Sequence, residues 1–215
     1  MKNLTTARAA SISAVLIAAS FGVTGYFYPS LPQTIATHWN AAGMPDATAG
    51  KDWFVFLPSL IALGLAGLLF LLPRIDPLRK DYSSFIGEYN LLILLVVGFL
   101  VLMQGMTLVW NLGLGFDMTR VICPALGLLF IGIGSVLPRL KRNSFAGVRT
   151  PWALASDANW DATQAHAGKV FSGAGLLACF GAIIPEYALL LLVAPIVLGT
   201  VWIFVHSYLT FRKSR

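Results

Sequence analysis

Six stretches of this chain are apolar for long enough, or nearly so, to cross a bilayer: about residues 9–28, 53–73, 89–110, 119–138, 168–185 and 187–208. A spanning helix needs about 20 consecutive, mostly apolar residues. The fifth stretch is short between Lys169 and Pro185 and rich in Gly and Ala, so its helix is expected to begin earlier, near Asp157. Two sizeable polar segments interrupt the pattern, residues 29–52 and 139–168. The pattern predicts an all-α, polytopic membrane protein of about six transmembrane helices. It divides into an N-terminal membrane module, residues 1–73, with two spans around loop 29–52, and a four-span region, residues 74–215, around loop 139–168.

Composition agrees. Of 215 residues, 57% are hydrophobic and 11% charged, against about 25% charged in soluble domains. The formal charge of +6 is no nucleic-acid footprint, because the basic residues sit beside apolar runs and not on one face. They set orientation instead. With the N-terminus inside, 13 are cytoplasmic: Lys2, Arg8, Arg74, Arg79, Lys80, Arg139, Lys141, Arg142, Arg149, Lys169, Arg212, Lys213 and Arg215. Only Lys51 and Arg120 fall outside, so both termini are expected to be cytoplasmic. A cleaved signal peptide is the competing reading of the first stretch. Its apolar run continues through Phe27 and Tyr28, which is long enough to span, with Tyr26 and Tyr28 as interfacial anchors. Cys123 and Cys179 lie in apolar runs without metal spacing, so no metal or cofactor is expected.

Lipid gives helices no hydrophobic reason to associate, so small residues matter for packing. Ala14, Ala18 and Gly22 form a small-residue stripe on the first span; Gly127, Gly132 and Gly134 thin the fourth, and Gly168, Gly173, Gly175 and Gly181 the fifth. Pro58 and Pro195 are candidate bends. The polar intramembrane candidates are Glu88 and Gln104 on the third span. Glu88 reads either as functional or as a headgroup-level acid paired with Arg74 or Arg79.

In the outer loop, Pro32 and Pro45 restrict the backbone, and Asn40-Ala-Ala-Gly43 reads as a tight turn that presents His38 and Trp39. Trp39 and Trp53 suit interfacial anchoring. His38 reads as a metal ligand, a pH switch, a ligand contact, or a side chain bonded to loop carbonyls. His166 and His206 belong to the other side, so the three histidines do not form one site.

The inner loop carries Asn143, Gly147, Arg149, Thr150, Pro151 and Trp152. Gly147 permits an unusual turn, and Pro151 pushes Thr150 to an extended conformation. Arg149 offers its fork of donors to backbone carbonyls, a carboxylate or a lipid phosphate. Ser156 or Asp157 caps a helix on which Trp160, Thr163 and Ala167 share a face. Thr163 and His166 are in reach at i,i+3, but no acid is placed to orient the histidine, so an enzyme is not expected.

Two patterns carry a resemblance. Leu31-Pro32…Ile35…His38-Trp39-Asn40…Gly43-Met-Pro45-Asp46…Lys51 resembles the membrane module that commonly precedes SdpI-type proteins. Asn143…Phe145-Ala-Gly147-Val-Arg149-Thr150-Pro151-Trp152…Leu154…Trp160…Thr163…Gly168 resembles the signature of the SdpI family. The resemblance implies a bacterial inner-membrane immunity protein that protects its cell from a secreted peptide toxin. For the prototype it also implies holding a cytoplasmic winged-helix repressor at the membrane. One departure stands out: relatives often have His or Asn after the residue aligned with Thr163, where this chain has Gln164, so Thr163 is carried over in preference to His166. On this reading His38, Trp39, Asn40, Gly43 and Pro45 contact toxin, and the inner motif stabilises the cytoplasmic face or docks a partner. Membrane lipids are the other partner; direct nucleic-acid binding is not expected. The rivals are a small-solute transporter, which would show repeated halves, and a membrane-embedded enzyme using Glu88, His166 and His206.

Overall fold

The computed structural model of the chain describes residues 4–78 and 82–213. Lys2, Arg79, Lys80 and Arg215, counted in the charge asymmetry, lie outside them. Six long helices follow the apolar pattern: α1 Thr6–Phe27, α3 Leu57–Ile75, α4 Tyr82–Asn111, α5 Thr119–Val136, α7 Asp157–Phe180 and α8 Ala188–Lys213. Two short ones, α2 Lys51–Phe54 and α6 Pro151–Ala155, precede α3 and α7. The architecture is all-α and polytopic, with one exception in the outer loop.

Among the described residues five helices are long and apolar enough to cross a membrane, against six expected; α7 is not among them. Its first half carries Asp157, Asn159, Asp161, Thr163, Gln164 and His166, and Lys169 follows. The polarity has a structural reason. Packed against α5, α6 and α8, α7 buries Asn159, Thr163 and Gln164 against protein. It starts where expected, with the Ser156 side chain accepting from Asn159 N–H at 3.2 Å.

The helices form two groups of three. α1, α3 and α4 pack together, as do α5, α7 and α8, and α4 meets α5 between them. Glycines join α5 to α7. A Cβ on Gly127 would lie 2.6 Å from the Gly175 carbonyl oxygen, and one on Gly168 would lie 2.7 Å from that of Gly134. The two pairs are one heptad apart on each helix, so the backbones run in contact over two turns. The expected stripe on α1 is different: Ala14, Ala18 and Gly22 are exposed, and Ser13, Ile17, Ser20 and Thr24 form the packed face. Ser20 and Ser59 hydroxyls meet at 2.7 Å and tie α1 to α3. Pro58 occupies the first turn of α3, where a missing N–H costs no helix bond, so it starts that helix and does not bend it. Pro195 does lie inside α8.

The outer loop is not irregular. It contains an antiparallel hairpin, β1 Thr34–Trp39 and β2 Pro45–Gly50, with Ile35 opposite Ala49 and a register irregularity at His38. A lone hairpin is marginal, and this one leans on the bundle. Leu31 and Ile35 are buried with Val55 and Leu108. The Asn111 amide brackets Ala36, accepting from its N–H at 2.7 Å and donating to its carbonyl at 3.1 Å.

Candidate functional site

The up-and-down helix order puts the hairpin at one end of the bundle and the 139–156 segment at the other, the basic end.

At the hairpin end, Gly43 has φ +72° and closes the Asn40–Gly43 turn, as the sequence suggested. The Asn40 Oδ1 accepts from Ala42 and Met44 N–H at 2.9 and 3.2 Å, so its side chain builds the turn. A side chain on Gly43 would strike Asp117, and Met118 N–H donates to the Gly43 carbonyl at 3.4 Å. Pro45 begins β2, a strand position where a missing N–H is readily tolerated. His38 is exposed, and its partner is not a loop carbonyl: Nδ1 meets Asp46 Oδ1 at 2.5 Å across the hairpin. Trp39 is more than a surface anchor, since it is half-buried edge-on against Trp110 at 5.7 Å. Trp53 does stay exposed, stacked on Phe54. His38, Trp39 and Asn40 line a cavity of about 290 Å³ with Met118 and Ile122 of the α5 region and Leu192 of α8.

Lys51 is buried, which its reading as an outside topological charge did not anticipate. Its ammonium donates to the Tyr28 and Leu31 carbonyls at 3.2 and 3.0 Å and lies 4.6 Å from the Tyr28 ring centre. Tyr28 therefore supports the hairpin base, whereas Tyr26 is exposed as an anchor would be.

At the basic end the inner motif is a closed polar network. Asn143 is fully buried and is its hub. Its Oδ1 accepts from Phe145 and Ala146 N–H at 2.9 and 2.6 Å; its Nδ2 donates to the Lys141 and Ala146 carbonyls, both at 2.9 Å. Gly147 follows with φ +102°. Beyond it, Gln164 pairs with the Val148 backbone like a neighbouring strand, accepting at 3.0 Å and donating at 2.8 Å. The residue read as a departure from the family pattern is thus the clamp that holds this loop to α7. Arg149 is exposed and Nη1 donates to the Ser144 carbonyl at 2.6 Å, the first of the partners its fork suggested.

Thr150 is extended and caps α6, its Oγ1 accepting from Ala153 N–H at 3.0 Å. The same hydroxyl meets Ser207 of α8 at 2.6 Å, and Thr163 donates to Ser207 at 3.0 Å. Trp160 is fully buried and donates to the Leu140 carbonyl at 2.7 Å. Pro151 opens α6, and Trp152 lies edge-on to Tyr208 at 5.2 Å. Thr163 does not bond His166. That histidine stacks on His206 instead, ring centres 4.0 Å apart and 8° from parallel.

Asp76 and Tyr82 are further members that sequence reasoning missed. Asp76 is buried just past α3, and Oδ1 accepts from Leu78 N–H and the Ser144 hydroxyl, both at 2.7 Å. Oδ2 accepts from the Tyr82 hydroxyl and Ser144 N–H, both at 2.9 Å. Burial pushes the carboxyl pKa up, but the bonds from Ser144, Leu78 and Tyr82 outweigh it and hold it below the ordinary value. This carboxylate ties the first helix group to the inner loop.

Of the intramembrane candidates, Gln104 is buried and its amide nitrogen joins Thr24 at 2.9 Å to the Val55 carbonyl at 2.8 Å, a packing role among α1, α4 and the α2–α3 link. Glu88 is half-buried; among the described residues no ion pair links it to Arg74, and Arg79 lies outside them. No group of three or more metal-ligating side chains occurs among the described residues.

Comparison with known proteins agrees with both motifs. Residues 139–207 match the SdpI/YfhL protein family, and the match ends on Ser207, the contact of Thr150 and Thr163. Residues 15–63, which hold the hairpin, match a domain of unknown function, DUF1648. No curated protein and no solved structure matches the chain. Residues 139–207 are thus similar to the SdpI/YfhL family and residues 15–63 ahead of them to DUF1648, in a chain with the helices of a polytopic membrane protein.

Proposed function

We propose that this protein is a non-enzymatic immunity protein of a bacterial cytoplasmic membrane that protects its cell against a secreted peptide toxin. Both termini face the cytoplasm, which puts the hairpin outside. The observation that carries the reading is the cavity beneath the hairpin turn. At about 290 Å³ it is near the lower edge of ligand pockets. It combines apolar walls from α5 and α8 with His38 and Asn40 at its rim, suiting one apolar side chain of a peptide whose backbone lies along the hairpin. The inner motif supports the same division of labour, because its hydrogen bonds close within the protein. Its outer surface, with the ion pairs Lys141–Asp161 and Arg142–Asp157, is where a cytoplasmic winged-helix repressor would dock.

The test is survival. Toxin-sensitive cells without their own immunity protein are made to produce the wild type, or Leu192→Trp combined with His38→Ala. That pair fills and reshapes the cavity while leaving the Asn40 turn intact. Protection by wild type and its loss in the variant at equal membrane abundance is the expected result. Equal protection by both removes the cavity from the mechanism; no protection by either refutes immunity against that toxin.

A further inference from the structure

A second cavity, again about 290 Å³, lies at the basic end, between the two helix groups. Leu69 of α3, Tyr89 and Val96 of α4, Ile133 of α5 and Phe171 of α7 form its walls. The inner-loop residues Phe145–Val148 also line it. Tyr89 to Val96 covers about 10 Å along α4 at 1.5 Å per residue, so the cavity runs inward from the loop. Its lining is mostly apolar, and the one tyrosine hydroxyl is already bonded to the Leu69 carbonyl at 2.7 Å.

We infer that this cavity binds one acyl chain of an anionic phospholipid from the surrounding leaflet, with the headgroup at Arg149. The cavity runs about 10 Å along α4 and is open on one side, so it takes part of an extended acyl chain while the rest stays in the surrounding lipid. α3, α4 and α5 are all apolar enough to span the membrane, so hydrocarbon is the medium around the cavity. An unfilled apolar void forfeits dispersion contacts on every wall, and the bilayer supplies chains at the highest available concentration. The site is also built in advance. Asn143 fixes Phe145 and Ala146, and Gln164 fixes Val148, so little ordering remains to oppose binding. Charge selects the headgroup. Arg149 directly follows Val148 and is exposed, with Nη1 on the Ser144 carbonyl; Arg74, in the last turn of α3, is exposed as well. Planar guanidinium suits phosphate.

The test reconstitutes the full chain in vesicles with phosphatidylglycerol carrying a photoreactive group in its acyl chain, then maps cross-links by mass spectrometry. Labelling of segments 89–96 and 145–148 several-fold above the exposed face around Leu198 is expected. So is its loss in Val96→Trp with Leu198→Trp unchanged. The same probe with a phosphatidylcholine headgroup should label these segments less, and Arg149→Gln should erase that difference. Pocket labelling no higher than at Leu198 overturns the site, leaving a void or a seat for a protein side chain. Equal labelling by both headgroups overturns the role of Arg149. The wild-type map decides the site even where Val96→Trp fails to fold.

Discussion

Replacing Asn143 by Ala removes the hub of the inner loop. Four hydrogen bonds with the backbone disappear, from Phe145 and Ala146 N–H and to the Lys141 and Ala146 carbonyls, together with a longer one accepted from the Tyr82 hydroxyl at 3.4 Å. At about 0.5–1.5 kcal/mol net each, the four backbone bonds sum to about 2–6 kcal/mol. The loop lies at the end of the bundle, where water can reach freed backbone groups, so the lower part of that range, about 2–3 kcal/mol, is expected. For a chain of this size each kcal/mol moves the midpoint by about 2–4 °C, giving a fall of about 4–12 °C. Asn143→Asp sharpens the test. It is nearly isosteric, keeps the acceptor side, and turns an oxygen toward the two carbonyls that Nδ2 now serves, so it should be destabilised comparably. The free thiols Cys123 and Cys179, on α5 and α7, are built-in reporters. Their modification by a thiol-reactive dye during a detergent melt, at one fixed scan rate because membrane proteins often unfold irreversibly, reads the midpoint. Both variants melting within about 1 °C of wild type would refute the reasoning, since that corresponds to less than about 0.5 kcal/mol.

Four other outcomes are expected. Gly168→Leu should separate α5 from α7 and lower the thiol-dye midpoint markedly, while Gly173→Leu, with nothing within 4 Å of its Cβ position, should leave it unchanged. Gly43→Ala should free the hairpin turn from Asp117 and force an alanine to φ +72°, seen as faster proteolysis within residues 40–45. Asp76 has a folded pKa below its unfolded value, about 3.9. Its stabilisation is therefore complete above the unfolded pKa and is lost as pH falls through the folded one; melts from pH 7 to pH 3 should show an acid-induced decline that is smaller in Asp76→Asn. Ser207→Ala removes the shared partner of Thr150 and Thr163 and should cost about 1–3 kcal/mol in the same melt.

The long helices were legible because lipid demands one simple property over a fixed length. The start of α7 was legible because Ser156 caps it before a polar turn. The facing of α1 was not. Lipid and protein neighbours are both apolar, so no amphipathic contrast marks the packed side, and the small Ala14–Ala18–Gly22 stripe turned outward while Ser13, Ser20 and Thr24 turned in. The hairpin was hidden by β2, Pro-Asp-Ala-Thr-Ala-Gly, which lacks the β-branched alternation of a strand. It is held by tertiary contacts with Asn111 and Lys51, and no local pattern encodes those. Asp76, flanked in sequence by Arg74, Arg79 and Lys80, reads as a solvated charge. Ser207, between His206 and Tyr208 near the end of an apolar run, reads as unremarkable. Both become hubs only when distant segments meet.

A peptide in the hairpin cavity matters at the basic end only if some element touches both. α8 does. Leu189 and Leu192 line the hairpin cavity, and Ser207 joins Thr150 and Thr163. Fifteen residues separate Leu192 from Ser207, about 22 Å along the axis at 1.5 Å per residue. Much of the outer face of α8 is exposed, including Leu190, Val193, Val197, Leu198, Val201 and Trp202. The helix is thus gripped on its inner side, and lipid offers little resistance to a small shift on the other. Displacement by a bound side chain at Leu192 would be felt first where the grip is polar and directional, at the Ser207 hydroxyl, because a hydrogen bond weakens steeply with misalignment whereas apolar contacts slide. The Ser207→Ala protein therefore separates two roles that wild type combines. If it binds and protects normally but no longer alters the basic end, the hydroxyl triad transmits; if the basic end still responds, the motif is scaffold alone.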